Sequence, residues 1–251
     1  MDIPLVENDL AQRGILEAGD LSKPNDAPRR AVMCFFPEVL EKAGGRIHAL
    51  LHTHDKRPLY DVLWKGERVA CFFPGLGAPA AVAALEEAIV MGCRDFVAVG
   101  GAGSLLPELT LGHAVIADRA VRDEGTSYHY LEPGRYIDAD PQVNAAIEAS
   151  LAAAEVPFVR GTTWTTDAIF RETRSRMERR VAEGCLTVEM EAAAFFAVGQ
   201  YRGVRVGQLL YAGDTLTGDE WDSRDWTRAA DLRTSLFEIA LDAAVAVPAD
   251  A

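Results

Sequence analysis

Three features of the sequence predict an α/β fold, a single domain with a mixed, mostly parallel central sheet flanked by helices on both faces. Short apolar runs of strand length alternate with longer helical patterns, and the junctions between them are rich in glycine. The chain has 251 residues at 49% hydrophobic content, enough to bury a large core. No internal repeat, low-complexity tract or linker divides it. Residues 1–30 are polar, carry Pro24 and Pro28, and read as an N-terminal extension that wraps the surface or reaches a neighbour. The domain proper spans 31–251.

Taken in order, Ala31 to Phe36 and Val69 to Phe73 read as buried strands, and Ala78 to Met91 as an Ala-rich helix. Phe96 to Val99 resumes a strand, completing a βαβ rhythm. A strand at His113 to Ala117, a helix from Pro141 to Ala154 and a strand at Phe158 to Thr162 follow. Then come a charged helix near Thr173 to Glu183, a strand at Leu186 to Val188 and a helix from Glu189 to Tyr201. A strand at Val204 to Tyr211 and a closing helix from Thr227 to Val247 end the pattern.

Composition excludes several classes. The formal charge of −13 and the lack of Lys/Arg clusters argue against a nucleic-acid partner. No apolar run approaches the roughly 18 residues that span a bilayer, so no membrane partner is expected. The start, Met1-Asp2-Ile3-Pro4, lacks the basic and apolar blocks of a signal peptide, which makes the cytoplasm the expected compartment. Cys34, Cys71, Cys93 and Cys185 have no zinc-type spacing and read as reduced core thiols, so no metal is expected.

Ligands of open α/β sheets bind at strand-to-loop junctions, and four junctions here carry unusual residues. At Phe36-Pro37-Glu38 an acid follows an apolar run; it is a base or binding group, or a carboxylate that answers a helix macrodipole. Pro74-Gly75-Leu76-Gly77-Ala78-Pro79 is a glycine turn that cradles an anion or is merely tight. Gly100-Gly101-Ala102-Gly103-Ser104 lets a ligand approach the backbone. Neither turn has dinucleotide spacing, and no NAD-type cofactor is expected. The fourth junction, Glu189-Met190-Glu191, sets two carboxylates in an Ala/Val/Phe context, where burial is costly unless a partner is present. A carboxylate there suits a vicinal diol, and Asp214 ends the next strand beside it as a proton donor.

Gly75-Leu76-Gly77, Gly100 to Gly103, Val121 to Tyr130, Thr165-Thr166-Asp167-Ala168, Val188-Glu189-Met190-Glu191 and Gly213-Asp214 together resemble the nucleoside phosphorylase and nucleosidase superfamily. The resemblance runs from about Ala31 to Val247, and Arg122 to Tyr130 is most similar to the uridine phosphorylase branch. It implies a three-layer fold and cleavage of a nucleoside N-glycosidic bond with no cofactor, the ribosyl acceptor being phosphate as a co-substrate or water. It also implies a homo-oligomer, dimer or hexamer, in which a neighbour's loop closes the pocket; His52, His54 and Tyr130 are candidates for that contribution. Glu191, Met190 and Glu189 would hold the ribose, and Asp214 would meet a purine or purine-like base, pyrimidine enzymes having Asn there. Thr165, Thr166, Ile169, Phe170 and Arg171 fall on the base-pocket segment, and Gly75, Gly101 and Ala102 on the anion or nucleophile site.

The chain departs from the phosphorylase pattern where arginines would grip phosphate, at Val39, Asp61 and Ala98, none of them basic. Glu38 instead aligns with the glutamate that activates water in the nucleosidase branch. Arg122, Arg171 or Arg57 could form a relocated anion site. Phosphorolysis, strict hydrolysis through Glu38, and nucleoside binding without turnover therefore all stay open.

Overall fold

Two strands of aliphatic residues set the middle of the sheet. β1 (Arg30–Cys34) runs parallel to both β4 (Glu67–Phe72) and β5 (Asp95–Ser104), as a βαβ unit requires. The structure is a computed structural model that describes residues 3–7, 9–42, 47–54, 56–226 and 229–249, with the backbone alone at 42 and 47–52. Beyond β4 the sheet continues antiparallel through β3 (Pro58–Trp64) and β2 (Ile47–His52). On its other side β5 pairs with β10 (Arg205–Thr215), which turns back through β6 (Ala114–Asp123), β8 (Phe158–Thr166) and β9 (Cys185–Glu189) to β5. β5, β10, β6, β8 and β9 thus close a small ring, from which the β1–β4–β3–β2 wing extends. The short β7 (Tyr136–Asp138) pairs with β6 outside it.

Helices cover both faces. α3 (Ala78–Met91) and α6 (Ala192–Arg202) bury alanines and Phe195, Phe196 against one side of the strands. α2 (Pro37–Lys42), α4 (Pro141–Ala153) and α7 (Ala230–Ala246) cover the other, around Val97, Val99, Ile116 and Tyr211. α5 (Arg174–Ala182) covers a third, smaller cluster around the fully buried Trp164. In the extension, α1 (Ala18–Leu21) lies along α3, where Ser22 donates a 2.5 Å hydrogen bond to Glu87. All four cysteines are buried free thiols, and burial pushes those of Cys34 and Cys93 up to about 12.

The expected elements are present with shifted ends. β5, β6 and β8 continue past their apolar runs, so Gly100 to Gly103 is strand rather than loop. Ring closure explains it, because ladder bonds to β10 hold residues of poor strand propensity. α6 starts at Ala192, not Glu189, because the acids before it cap the helix from outside. β2, β3 and β7 and the short α2 were not expected. Thr227, the expected start of the last helix, lies outside the described residues.

Gly207 fixes how α4 sits on β10. A Cβ there would stand 2.6 Å from Asn144 Oδ1 and 2.7 Å from Val143 Cγ1, and Asn144 is held by its bond to the Ala117 carbonyl. Gly207→Ala should therefore cost roughly 1–3 kcal/mol in urea unfolding, the usual range for overpacking.

Candidate active site

The ring and the wing part company along β5. β1 pairs with β5 only as far as Val99, and β9 joins the same edge only at Gly103 and Ser104. Gly100 to Ala102 therefore have no strand on that edge, a break of the kind where α/β sheets take ligands. β9 runs antiparallel to β5, so after Val188 the chain enters this gap with Glu189, Met190 and Glu191.

The two glutamates divide their work. Glu189 spends both carboxylate oxygens inside the chain: Oε1 accepts from Thr165 Oγ1 at 2.6 Å, and Oε2 accepts from the N–H groups of Glu191 and Ala192 at 2.8 and 2.7 Å. It caps α6 through these N–H groups. Glu191 Oε1 accepts from Gly77 N–H at 2.6 Å, and its Oε2 from Met190 N–H at 3.3 Å. Gly75 and Gly77, with φ of 96° and 85°, adopt the left-handed backbone that turns this N–H toward the gap. The glycine turn thus donates inward, to the carboxyl of Glu191. Arg57 Nη1 donates to the Pro74 carbonyl at 3.3 Å, on the same turn.

Asp214 enters from β10. A Cβ on Gly103 would stand 3.7 Å from its Oδ1, while Oδ2 accepts the Trp221 indole N–H at 2.6 Å. The base-pocket segment is split. Thr165 and Thr166 are buried with their hydroxyls engaged, Thr165 on Glu189 and Ala193 N–H, Thr166 on Ala168 N–H. Ile169, Phe170 and Arg171 form an exposed 3-10 turn, with Phe170 94% exposed. Thr165 thus ties into the α6 cap.

Glu38 stands in the first turn of α2, and its Oε1 accepts from Arg233 Nη1 of α7 at 2.6 Å. Arg233 also reaches the Tyr211 hydroxyl at 3.4 Å and the Trp226 carbonyl at 3.0 Å, and stacks on Phe36. The Tyr211 hydroxyl would lie 3.2 Å from a Cβ on Gly101, so a chain of contacts leads from the gap to Glu38. Ala102, next along the gap, is buried. Nothing in the local sequence announced Arg233 or Trp221 as neighbours of the site. At the expected phosphate positions, Val39 and Ala98 are core residues, and buried Asp61 accepts from Arg68 at 2.6 Å. Arg122 is spent on Ser127 and the Leu131 and Glu132 carbonyls.

The sequence profile described as the Phosphorylase superfamily matches residues 29–246. The chain belongs to this superfamily. It is 30% identical to a uridine phosphorylase of Treponema pallidum over 153 residues, 57% of this chain and 59% of the relative. It is 31% identical to a guanosine phosphorylase of Halorubrum lacusprofundi over 149 residues, 58% of this chain and 61% of the relative. The matched stretch therefore spans about three fifths of each of these relatives. In fold it is similar to a purine nucleoside phosphorylase of Toxoplasma gondii in complex with immucillin-H, with a TM-score of 0.77, 18% identity, and 93% of this chain and 97% of the other covered.

A concavity of about 810 Å³ in this superfamily member lies apart from the glutamate gap. It opens between the extension and α3, lined among others by Glu17, His54, Glu86, Glu87 and Tyr130. His54 Nδ1 is bonded to Glu87 there at 2.8 Å, and the His52 side chain lies outside the described residues. Among the described residues no helix is long and apolar enough to cross a membrane, and no cluster of three or more His, Cys, Asp or Glu could hold a metal.

Burial pushes the Glu189 and Glu191 carboxyls upward, and the charge of Glu189 adds to the effect at Glu191. A carboxyl raised by folding holds a proton that the unfolded chain has released. Its stabilisation is complete below the ordinary value of 4.5 and is lost as pH climbs toward about 8. Glu191→Gln should remove that loss, so its stability relative to wild type should improve steadily from pH 4.5 to pH 8 in parallel denaturant titrations.

Proposed function

We propose that this protein cleaves the N-glycosidic bond of a nucleoside, with a purine or purine-like base favoured. The observation that carries the reading is the approach of Glu191, after β9, and Asp214, on β10, to the part of β5 where one edge, from Gly100 to Ala102, has no strand partner. Breaking C1′–N builds positive charge on the ribose and negative charge on the base, so catalysis needs a grip on the sugar and a group at the leaving nitrogen. Glu191 and Met190 hold the 2′ and 3′ hydroxyls, and the Gly77 N–H fixes the carboxylate for them. Asp214 meets the departing base. Ile169, Phe170 and Arg171 border the base, and Gly75, Gly101 and Ala102 border the nucleophile.

The ribosyl acceptor is phosphate if the chemistry of the chain's relatives, a uridine phosphorylase and a guanosine phosphorylase, carries over. Water is the second reading. It is favoured by the absence of a cation at Val39, Asp61 and Ala98 and by Glu38 one step from the gap through Arg233 and Tyr211. Release of base from inosine, adenosine and uridine, with and without millimolar phosphate, decides between them. Release only with phosphate removes hydrolysis, and release without it removes phosphate as the required acceptor. A nucleoside-induced thermal shift without turnover leaves a binding protein.

Asp214→Asn should lower kcat on purine nucleosides by about 100-fold and leave KM within a few fold, the signature of a group that acts in the transition state. Equal losses in binding and turnover would contradict that role. Glu38→Gln should abolish phosphate-independent release while sparing phosphorolysis; undiminished hydrolysis would take Glu38 out of the mechanism.

A further inference from the structure

The turn after Asp214 is tied down from the opposite wall of the base pocket. Thr215 and Asp222 exchange backbone hydrogen bonds of 2.9 and 3.2 Å, and Trp221, within that turn, holds Asp214. Arg174, first residue of α5, donates to the carbonyl of Leu216 at 3.0 Å and to that of Gly218. Two residues before Arg174 stands Glu172, half-buried, where the chain leaves the 3-10 turn of Ile169–Arg171. Two residues before Leu216 stands Asp214. The Arg174 clamp therefore sets the two segments side by side, and the charge of Asp214 acts on Glu172 across them.

We propose that Glu172 is a second catalytic carboxyl of this pocket, the one that gives its proton to the departing base, with Asp214 and its indole partner on the facing segment. The proposal rests on the nucleoside reading above.

The environments of the two acids differ in the way this division needs. An indole N–H can only donate, so the Asp214 oxygen it meets is an acceptor, as a carboxylate provides. No described residue hydrogen-bonds the Glu172 carboxyl. Burial, and then the charge of Asp214, push Glu172 up to about 7. Arg176 of α5 opposes this, but its guanidinium also serves Asp123, at 2.7 Å. The other acids of the turn, Asp219, Glu220 and Asp222, are exposed. A half-buried carboxyl raised toward neutrality keeps a proton that it can donate, while its neighbour is held by an indole N–H, and environments that differ in this way let two like groups take different roles.

The step balances without a further reactant. As C1′–N breaks, its electron pair goes to the base and a ring nitrogen takes the Glu172 proton. C1′ bonds to an oxygen of phosphate or water, and the proton which that acceptor loses returns through solvent to Glu172.

The test compares wild type, Glu172→Gln and Glu172→Asp on inosine and on 4-nitrophenyl riboside, whose leaving group departs without a proton, across the pH range that spans 7. In Glu172→Gln, kcat on inosine should fall by about 100-fold with KM within a few fold, its alkaline limb near pH 7 should vanish, and the nitrophenyl riboside should be cleaved at the wild-type rate. Glu172→Asp, which keeps an ionisable carboxyl, should recover the alkaline limb. Equal losses on both substrates, or an inosine rate and pH profile unchanged in Glu172→Gln, would overturn the role of Glu172 while leaving the nucleoside reading intact. Wild-type protein that cleaves neither substrate would remove the nucleoside reading, and the proposal with it.

Discussion

The hydrogen bond from Gly77 N–H to Glu191 Oε1 is the contact on which the rest of the site depends. It crosses the one place where β5 has lost a neighbour on one edge, and it joins the start of α3 to the start of α6. A charge-assisted bond in a dry setting is worth more than one in water, and leaving either partner alone there costs more still. The left-handed glycines, the β9 ending that delivers Glu191, and the Glu189 cap that fixes the turn into α6 all serve this one approach. Thr165 extends it, binding Glu189 and Ala193 together so that the helix cannot rotate away.

The acids near the gap are one residue type in several electrical settings. Glu189 is surrounded by backbone donors, Glu191 sits beside the Glu189 charge, Asp214 has an indole, and Glu38 has a guanidinium. Environment rather than identity separates their chemistry. A site read by counting carboxylates would give all of them the same job. Their hydrogen-bond partners differ, and Glu189 alone among them accepts from two N–H groups at the start of α6 and from a buried threonine.

Much of this was legible in the sequence where the signal is local. Continuous aliphatic runs mark β1 and β4, which are covered on both faces, and an Ala-rich stretch behind a glycine turn marks α3 almost to the residue. β3 was not legible, because its buried Asp61 breaks the apolar pattern and is tolerated only through Arg68 on the adjacent strand, a pairing that depends on the sheet itself. The glycines of β5 carry no strand propensity, and only the distant β10 makes them strand. Glu191 and Asp214 stood out because acids in apolar surroundings need a reason. The partners of Glu38 and Asp214 did not, since Arg233 and Trp221 lie in unremarkable helical and loop sequence and become neighbours only through the fold.

The ion pair between Glu38 and Arg233 spans 195 positions of sequence. Glu38 leaves the ribosome early, and its partner follows only after nearly the whole sheet has been synthesised. A nascent chain that has completed β1 to β9 can already tether α3 to α6 through Gly77 and Glu191, yet the wall around Glu38 must wait for α7. Closing so long a loop is entropically slow. The contact between the glycine turn and Glu191 is thus set to form before the wall around Glu38, and a stalled chain would hold the first without the second.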